Sequence, residues 1–335
     1  MWLRASCDFT FDIAVPTPFI LMLRPRSGAQ QWVAREEYNI APTVPVYEFT
    51  DLYGNLCQRL VAPPGRFSVN TVAEVKTADV VDQAPGAEFI EVQYLPDGVL
   101  GYLLPSRYCE SELFCQMATE ITAGCNLGYD QVVAIQTWLR ERVRYEPGSS
   151  NTPMSAVDVN LRQVGVCRDL AHLGIALCRS LSIPARLVVG YLNNLEPMDL
   201  HAWFEAYVGG RWYTFDATQQ VLNGGYITVG YGRDAADVAV YSQFGPPVYP
   251  IEQRVQVTGI NQRFIQSPAK ALLLTYTSND SGAEFSVPLK ATPSATGSPQ
   301  RSFNCLSTIA SGSMLNCPVS SQPLTLAENS PLSAT

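Results

Sequence analysis

Two periods of apolar and polar residues divide this chain. Up to about residue 100 the apolar positions recur every second residue. FSVNTVAEV sets Phe67, Val69, Thr71, Ala73 and Val75 on one face, the pattern of a half-buried strand. VPVYEFT (44–50) and CQRLVA (57–62) flank DLYGN, a turn composition, and the PPG at 63–65 separates two such runs. AEFIEVQYL (87–95) repeats the alternation. These runs predict a small β-sandwich-like domain over residues 1–100, with no catalytic cluster of its own. Pro96 to Pro105 leads into a stretch of helical period, with helices expected near 109–124 and 129–144. The second carries Val132, Val133, Ile135, Gln136, Trp138, Leu139 and Val143 mostly on one face.

A further helix is expected from Val166, through Leu170, Leu173, Gly174, Leu177, Cys178 and Leu181. Pro147, Gly148, Ser149 and Ser150 precede it, and Ser182 and Pro184 stop it. Cys167 then lies in the first turn of about four. Free backbone N–H groups and the positive end of the helix dipole collect there, and those N–H groups could donate to a developing oxyanion. ARLVVGYL (185–192) reads as a buried strand. HAWFEAYV and RWYTFDAT read as two strands joined by Gly209-Gly210, a two-residue hairpin signal.

Hairpin pairing with Val208 opposite Arg211 puts His201 opposite Thr218 and Asp216 opposite Trp203. His201 and Asp216 become diagonal neighbours, roughly 7–8 Å apart between backbones and within side-chain reach. Leu200, Ala202, Phe204, Ala206, Val208, Tyr213, Phe215 and Ala217 fall on a core face. Asp199, His201, Trp203, Glu205, Thr214, Asp216 and Thr218 fall on a polar one. A one-residue slip would destroy this segregation. Cys167, His201 and Asp216 are therefore candidates for a thiol nucleophile, its base and the group that orients the base. In this reading Asp216 holds the imidazole Nδ1 proton, so that Nε2 faces sulfur. The chain has two histidines. His172 follows Cys167 by five positions, about 140° around the helix, and faces away from it. Asp199 is the rival acid, two residues from His201 on the same strand. The spacing alone also fits a buried, inert Cys167 and a His201 on a solvated face.

The blocks LLPSRYCESE (103–112), AIQTWLRERVRYEPGSS (134–150), GVCRDLAHLGIALCRSLSIPARLVVGYL (165–192), DLHAWFEAYVGGRWYTFDAT (199–218) and GRDAADVA (232–239) resemble the bacterial branch of the transglutaminase-like superfamily, nearly without interruption from about 100 to 250. The resemblance implies an α+β fold. A papain-like core, in which the helix bearing the cysteine packs on an antiparallel sheet, follows a β-rich N-terminal domain. It implies acyl transfer from an amide through a thioester, with Cys167 as nucleophile, His201 as base and Asp216 as orienting acid. It does not name a substrate. Trp203 and Trp212 are candidates to line the cleft, or simply to pack.

Net charge is −8 with pI near 4.9. No basic stripe is present, so nucleic acid is not an expected partner; the expected partner is a protein or peptide substrate. Nine cysteines without a CxxC pair give little support to a zinc site, and no cofactor or metal is expected. MWLRASCDF lacks signal-peptide character, and IAVPTPFILML (13–23) is too short and too proline-rich to span a membrane. A cytoplasmic protein with reduced thiols is the expectation. The Ser, Thr, Pro and Ala-rich stretch 261–335 reads as a largely disordered tail, leaving 101–260 as the catalytic domain. The alternative to an enzyme is a non-catalytic binding module on the same fold.

Overall fold

The computed structural model describes residues 1–28 and 30–260; the expected tail, with Cys305 and Cys317, lies outside them. Six strands come first: β1 (Trp2–Ile13), β2 (Thr17–Leu21), β3 (Gln31–Ala41), β4 (Tyr47–Thr50), β5 (Leu56–Ala62) and β6 (Gly65–Thr77). The middle holds α1 (Asp97–Leu100), α2 (Cys115–Ile121), α3 (Tyr129–Arg142), β7 (Arg144–Tyr145), α4 (Ala156–Arg162), β8 (Val164–Gly165) and α5 (Cys167–Ser180). Six strands follow: β9 (Ala185–Leu192), β10 (Leu200–Val208), β11 (Arg211–Phe215), β12 (Tyr226–Gly232), β13 (Tyr241–Gln243) and β14 (Pro250–Gly259).

The N-terminal strands build two four-stranded sheets, ordered β14-β1-β6-β3 and β13-β2-β5-β4. Alternate residues of β1 (Leu3, Ala5, Cys7, Phe9, Phe11, Ile13) and of β6 are buried between them. Phe11 meets Phe19 of β2 at 5.3 Å, and Phe19 meets Phe67 of β6 at 6.2 Å. The sandwich read from the alternation is present, but its edges are completed by β13 and β14, from the end of the 101–260 segment. The alternating run 87–95 is not a strand. It holds a short 3-10 turn at Val92–Tyr94. Its backbone bonds scatter: the Ala87 carbonyl accepts from Tyr129, and the Glu88 carbonyl accepts from Gly209. No single partner strand offers it a ladder.

The core sheet has the order β11-β10-β9-β12 and is antiparallel throughout. Gly209 and Gly210 both take positive φ, which joins β10 to β11 in the register that pairs Val208 with Arg211. The central helix α5 buries every residue from Asp169 to Arg179. Gly174 allows its close approach to β10, since a Cβ there would lie 2.8 Å from Phe204 Cε1 and 3.1 Å from Leu139 Cδ1. No helix among the described residues is long and apolar enough to cross a membrane.

The outer edge of β12 is closed by side-chain amides from the N-terminal region. Gln31 donates to the Thr228 carbonyl (2.7 Å) and accepts from the Thr228 N–H (2.8 Å). Asn55 does the same for Tyr231, at 2.7 and 2.8 Å. Each amide supplies the bond pair that a neighbouring strand residue would supply, so these backbone groups are satisfied without an added strand.

Candidate active site

Cys167 is the first residue of α5 and is half-buried. The Val166 carbonyl accepts the N–H groups of Asp169 and Leu170. The amides of Cys167 and Arg168 precede those bonds and have no carbonyl one turn back. Asp169, at the third helical position and wholly buried, anchors this start. Its carboxylate accepts from the N–H of Val166 (3.2 Å) and of Met154 (3.1 Å), from Arg168 Nε (3.1 Å) and from the Ser150 hydroxyl. Sequence reasoning passed over Asp169, although an acid in a first helical turn is a recognisable N-terminal signal.

His201 is the second residue of β10, and Asp216 follows the last residue of β11. Each is 1% exposed, and His201 Nε2 lies 2.7 Å from Asp216 Oδ2. The polar face expected of this hairpin is largely buried, with Trp203, Glu205 and Thr214 enclosed as well, which sets aside the alternative of a His201 on a solvated face. The ring orientation also differs from expectation, with Nε2, not Nδ1, on the carboxylate. A diagonal cross-strand gap is wide, and the distal nitrogen spans it. That leaves Nδ1 buried without a hydrogen-bond partner among the described residues, and the Cys167 thiol is near enough to contribute to the raised pKa of the ring. Nucleophile–base contacts are commonly long before substrate binds.

Burial works against a charge on His201, but Asp216 and then the Cys167 sulfur outweigh it and push the imidazole up to about 10. Burial likewise opposes the Asp216 charge. His201 and two bonds from Thr218 overcome it and hold the carboxyl below its usual range. Thr218 donates its N–H (2.9 Å) and its hydroxyl (2.7 Å) to Oδ1. The Tyr226 hydroxyl donates to Oδ2 at 3.0 Å. Gln136 of α3, read from sequence as part of a helix face, accepts the Asp216 N–H at 3.1 Å. No local pattern marks Tyr226 or Gln136; only the tertiary fold brings them to Asp216.

Trp203 lies against His201, with centroids 6.0 Å apart and planes at 26°, and meets Tyr226 edge-on at 4.9 Å. It walls the imidazole but is fully buried. Trp212 is elsewhere, four residues along β11 from Asp216, roughly 13 Å away. It stacks on Arg186 at 4.1 Å. With Tyr53, Tyr102 and Arg233 it lines a separate cavity of about 570 Å³. Asp199 is exposed and accepts from its neighbour Leu200 (2.7 Å) and from Gln253 (2.7 Å). Asp216, not Asp199, meets the imidazole.

His172 is enclosed, with Nδ1 donating to the Met154 carbonyl (2.8 Å) and Nε2 accepting from the Ala235 N–H (3.2 Å). Burial holds it neutral, as its lowered pKa records. Cys178 lies in the buried body of α5, and burial pushes its thiol up. Among the described residues, no three His, Cys, Asp or Glu side chains are arranged to hold a metal ion.

The chain is similar to known proteins. The model of the Transglutaminase-like superfamily matches residues 115–217, which include all three candidate residues. An uncharacterized protein of Mycobacterium leprae is 30% identical over 230 residues, covering 65% of this chain and 82% of that protein. An uncharacterized protein of Mycobacterium tuberculosis is 36% identical over 109 residues, or 28% of this chain and 35% of its own length. The crystal structure of a Putative Cysteine Protease from Cytophaga hutchinsonii is 37% identical, spans 78% of this chain and 91% of that one, and superposes with a TM-score of 0.73.

Proposed function

Since the chain belongs to the transglutaminase-like superfamily, we propose that it is a cysteine-dependent acyl-transfer enzyme acting on peptide or carboxamide bonds, with water as the favoured acceptor. The observation that carries this reading is the buried His201–Asp216 contact of 2.7 Å, with the other ring nitrogen left for Cys167 at a helix start.

In this mechanism the Cys167 thiol gives its proton to His201 Nδ1, and sulfur bonds to the carbonyl carbon. The carbonyl π electrons move onto oxygen, where the amides of Cys167 and Arg168 can donate. Collapse breaks the C–N bond. His201 passes its proton to the departing nitrogen, and a thioester remains. Water then gives a proton to His201 and attacks the thioester. The carboxylic acid leaves, and the proton returns to sulfur. Asp216 holds the ring in place and supports its charge in each half-reaction. Water is favoured because it needs no further recognition, and the protease name of the Cytophaga relative supports hydrolysis over transfer.

The test is turnover of a panel of peptide and glutamine-amide substrates, with and without an added primary amine. Release of acid that Cys167→Ala abolishes supports the reading. Incorporation of the amine in preference to water moves the assignment to transamidation. Equal turnover by wild type and Cys167→Ala overturns the nucleophile.

A further inference from the structure

Resting on that reading, we propose that Tyr226 is a positioning residue for the catalytic pair, because its hydroxyl shares the carboxylate oxygen that His201 uses. Asp216 Oδ2 receives both His201 Nε2 at 2.7 Å and the Tyr226 hydroxyl at 3.0 Å. Oδ1 is saturated separately by the two Thr218 donors. Among the described residues the carboxylate thus has four donors, and on Oδ2 Tyr226 is the one besides the imidazole.

The placement is built from several directions. Trp203 touches both rings, nearly parallel to His201 and edge-on to Tyr226. Tyr226 opens β12, whose outer edge is fixed two residues on by the Gln31 amide on Thr228. The N-terminal sandwich thereby helps to set the strand that carries Tyr226. Among the described residues, the titratable and charged groups around the pair are Cys167 on α5, Tyr226 on β12, Tyr145 on β7 and Arg140 on α3; Asp199, just before β10, is exposed and acts on Tyr145 and Cys7 from a distance. Burial, then Asp216, keeps the Tyr226 hydroxyl protonated, so it remains a donor across the working range.

A donor on Oδ2 draws off charge that would otherwise serve the imidazolium alone. Removing it leaves the whole of that oxygen to His201. The ring then binds its proton more tightly and yields it less readily to a leaving amine.

The experiment combines two readouts on the full chain. One is iodoacetamide alkylation of Cys167 across the pH range. The other is NMR titration of the imidazoles, which are two in number, with the neutral His172 as internal reference. In Tyr226→Phe the His201 titration and the alkaline limb of alkylation move upward together by about half to one pH unit, and turnover falls roughly tenfold. Site-specific replacement of Tyr226 by a fluorotyrosine, a stronger donor of nearly the same shape, moves both downward. This second protein decides the matter if Tyr226→Phe does not fold. A His201 titration that stays in place in either folded protein shows that Tyr226 only packs, and overturns the proposal. If wild-type Cys167 shows no His201-dependent alkylation, the catalytic reading itself has failed, a result seen before Tyr226 is altered.

Discussion

His201 Nε2 and Asp216 Oδ2 meet at 2.7 Å inside the protein, although the residues are 15 apart in sequence. The Gly209-Gly210 turn brings them together by fixing the hairpin register. Asp216→Asn keeps the shape of this contact but removes the charge that supports the imidazolium. An amide can also present its N–H to Nε2 and so favour the wrong tautomer. Related triads lose roughly 10⁴-fold in kcat on this change. Asp199→Asn, at an exposed residue outside the pair, is expected to leave kcat within about twofold. Parallel measurement of the two variants checks the register: a crippled Asp199→Asn beside an active Asp216→Asn would place the orienting acid on the His201 strand.

The same pair predicts a pH-dependent stability, most cleanly in Cys167→Ala, where sulfur cannot exchange a proton with the ring. Asp216 raises His201 above its ordinary value of about 6.5. The folded chain therefore keeps a proton that the unfolded chain releases. This stabilisation is complete below about pH 6.5 and is lost as pH rises through the folded value. Cys167→Ala should melt at a higher temperature at about pH 6 than at about pH 9, and adding Asp216→Asn should remove most of that difference. A difference unchanged by Asp216→Asn would assign it to other groups.

The amides on the β12 edge predict where the N-terminal region matters. Asn55 is fully buried and satisfies both backbone groups of Tyr231. Asn55→Ala leaves both unpaired, a loss of about 2–6 kcal/mol at roughly 1–3 for each buried group. Denaturant unfolding measures it. A change below about half a kcal/mol would mean that water replaces the amide without penalty.

Much of the core was legible in the sequence because its signals are local. The apolar spacing from Val166 to Leu181 marks α5, and Gly209-Gly210 sets a register that places His201 near Asp216. What was misread depends on contacts between distant segments. The hairpin pattern marks a polar face but not its burial, and other parts of the chain cover it. The run at 87–95 alternates like a strand, but Gly209 and Tyr129 take its carbonyls. The imidazole orientation turned on which ring nitrogen crosses the diagonal gap, which spacing alone does not give. Tyr226 and Gln136 carry no motif at all, and Gln31 reaches Thr228 across 197 residues.

The most direct test compares two thiols. Cys115 and Cys167 each begin a helix, Cys115 is exposed and Cys167 is half-buried. Of the two, Cys167 is the one whose thiol contributes to the raised pKa of an imidazole. Limited iodoacetamide labelling near neutral pH, with each site quantified by peptide mass spectrometry, separates accessibility from activation. The account predicts that Cys167 is alkylated at least tenfold faster than Cys115, and that His201→Ala erases the advantage. Faster labelling of Cys115, or a Cys167 rate unaffected by His201→Ala, would contradict the assignment of Cys167 as an activated nucleophile.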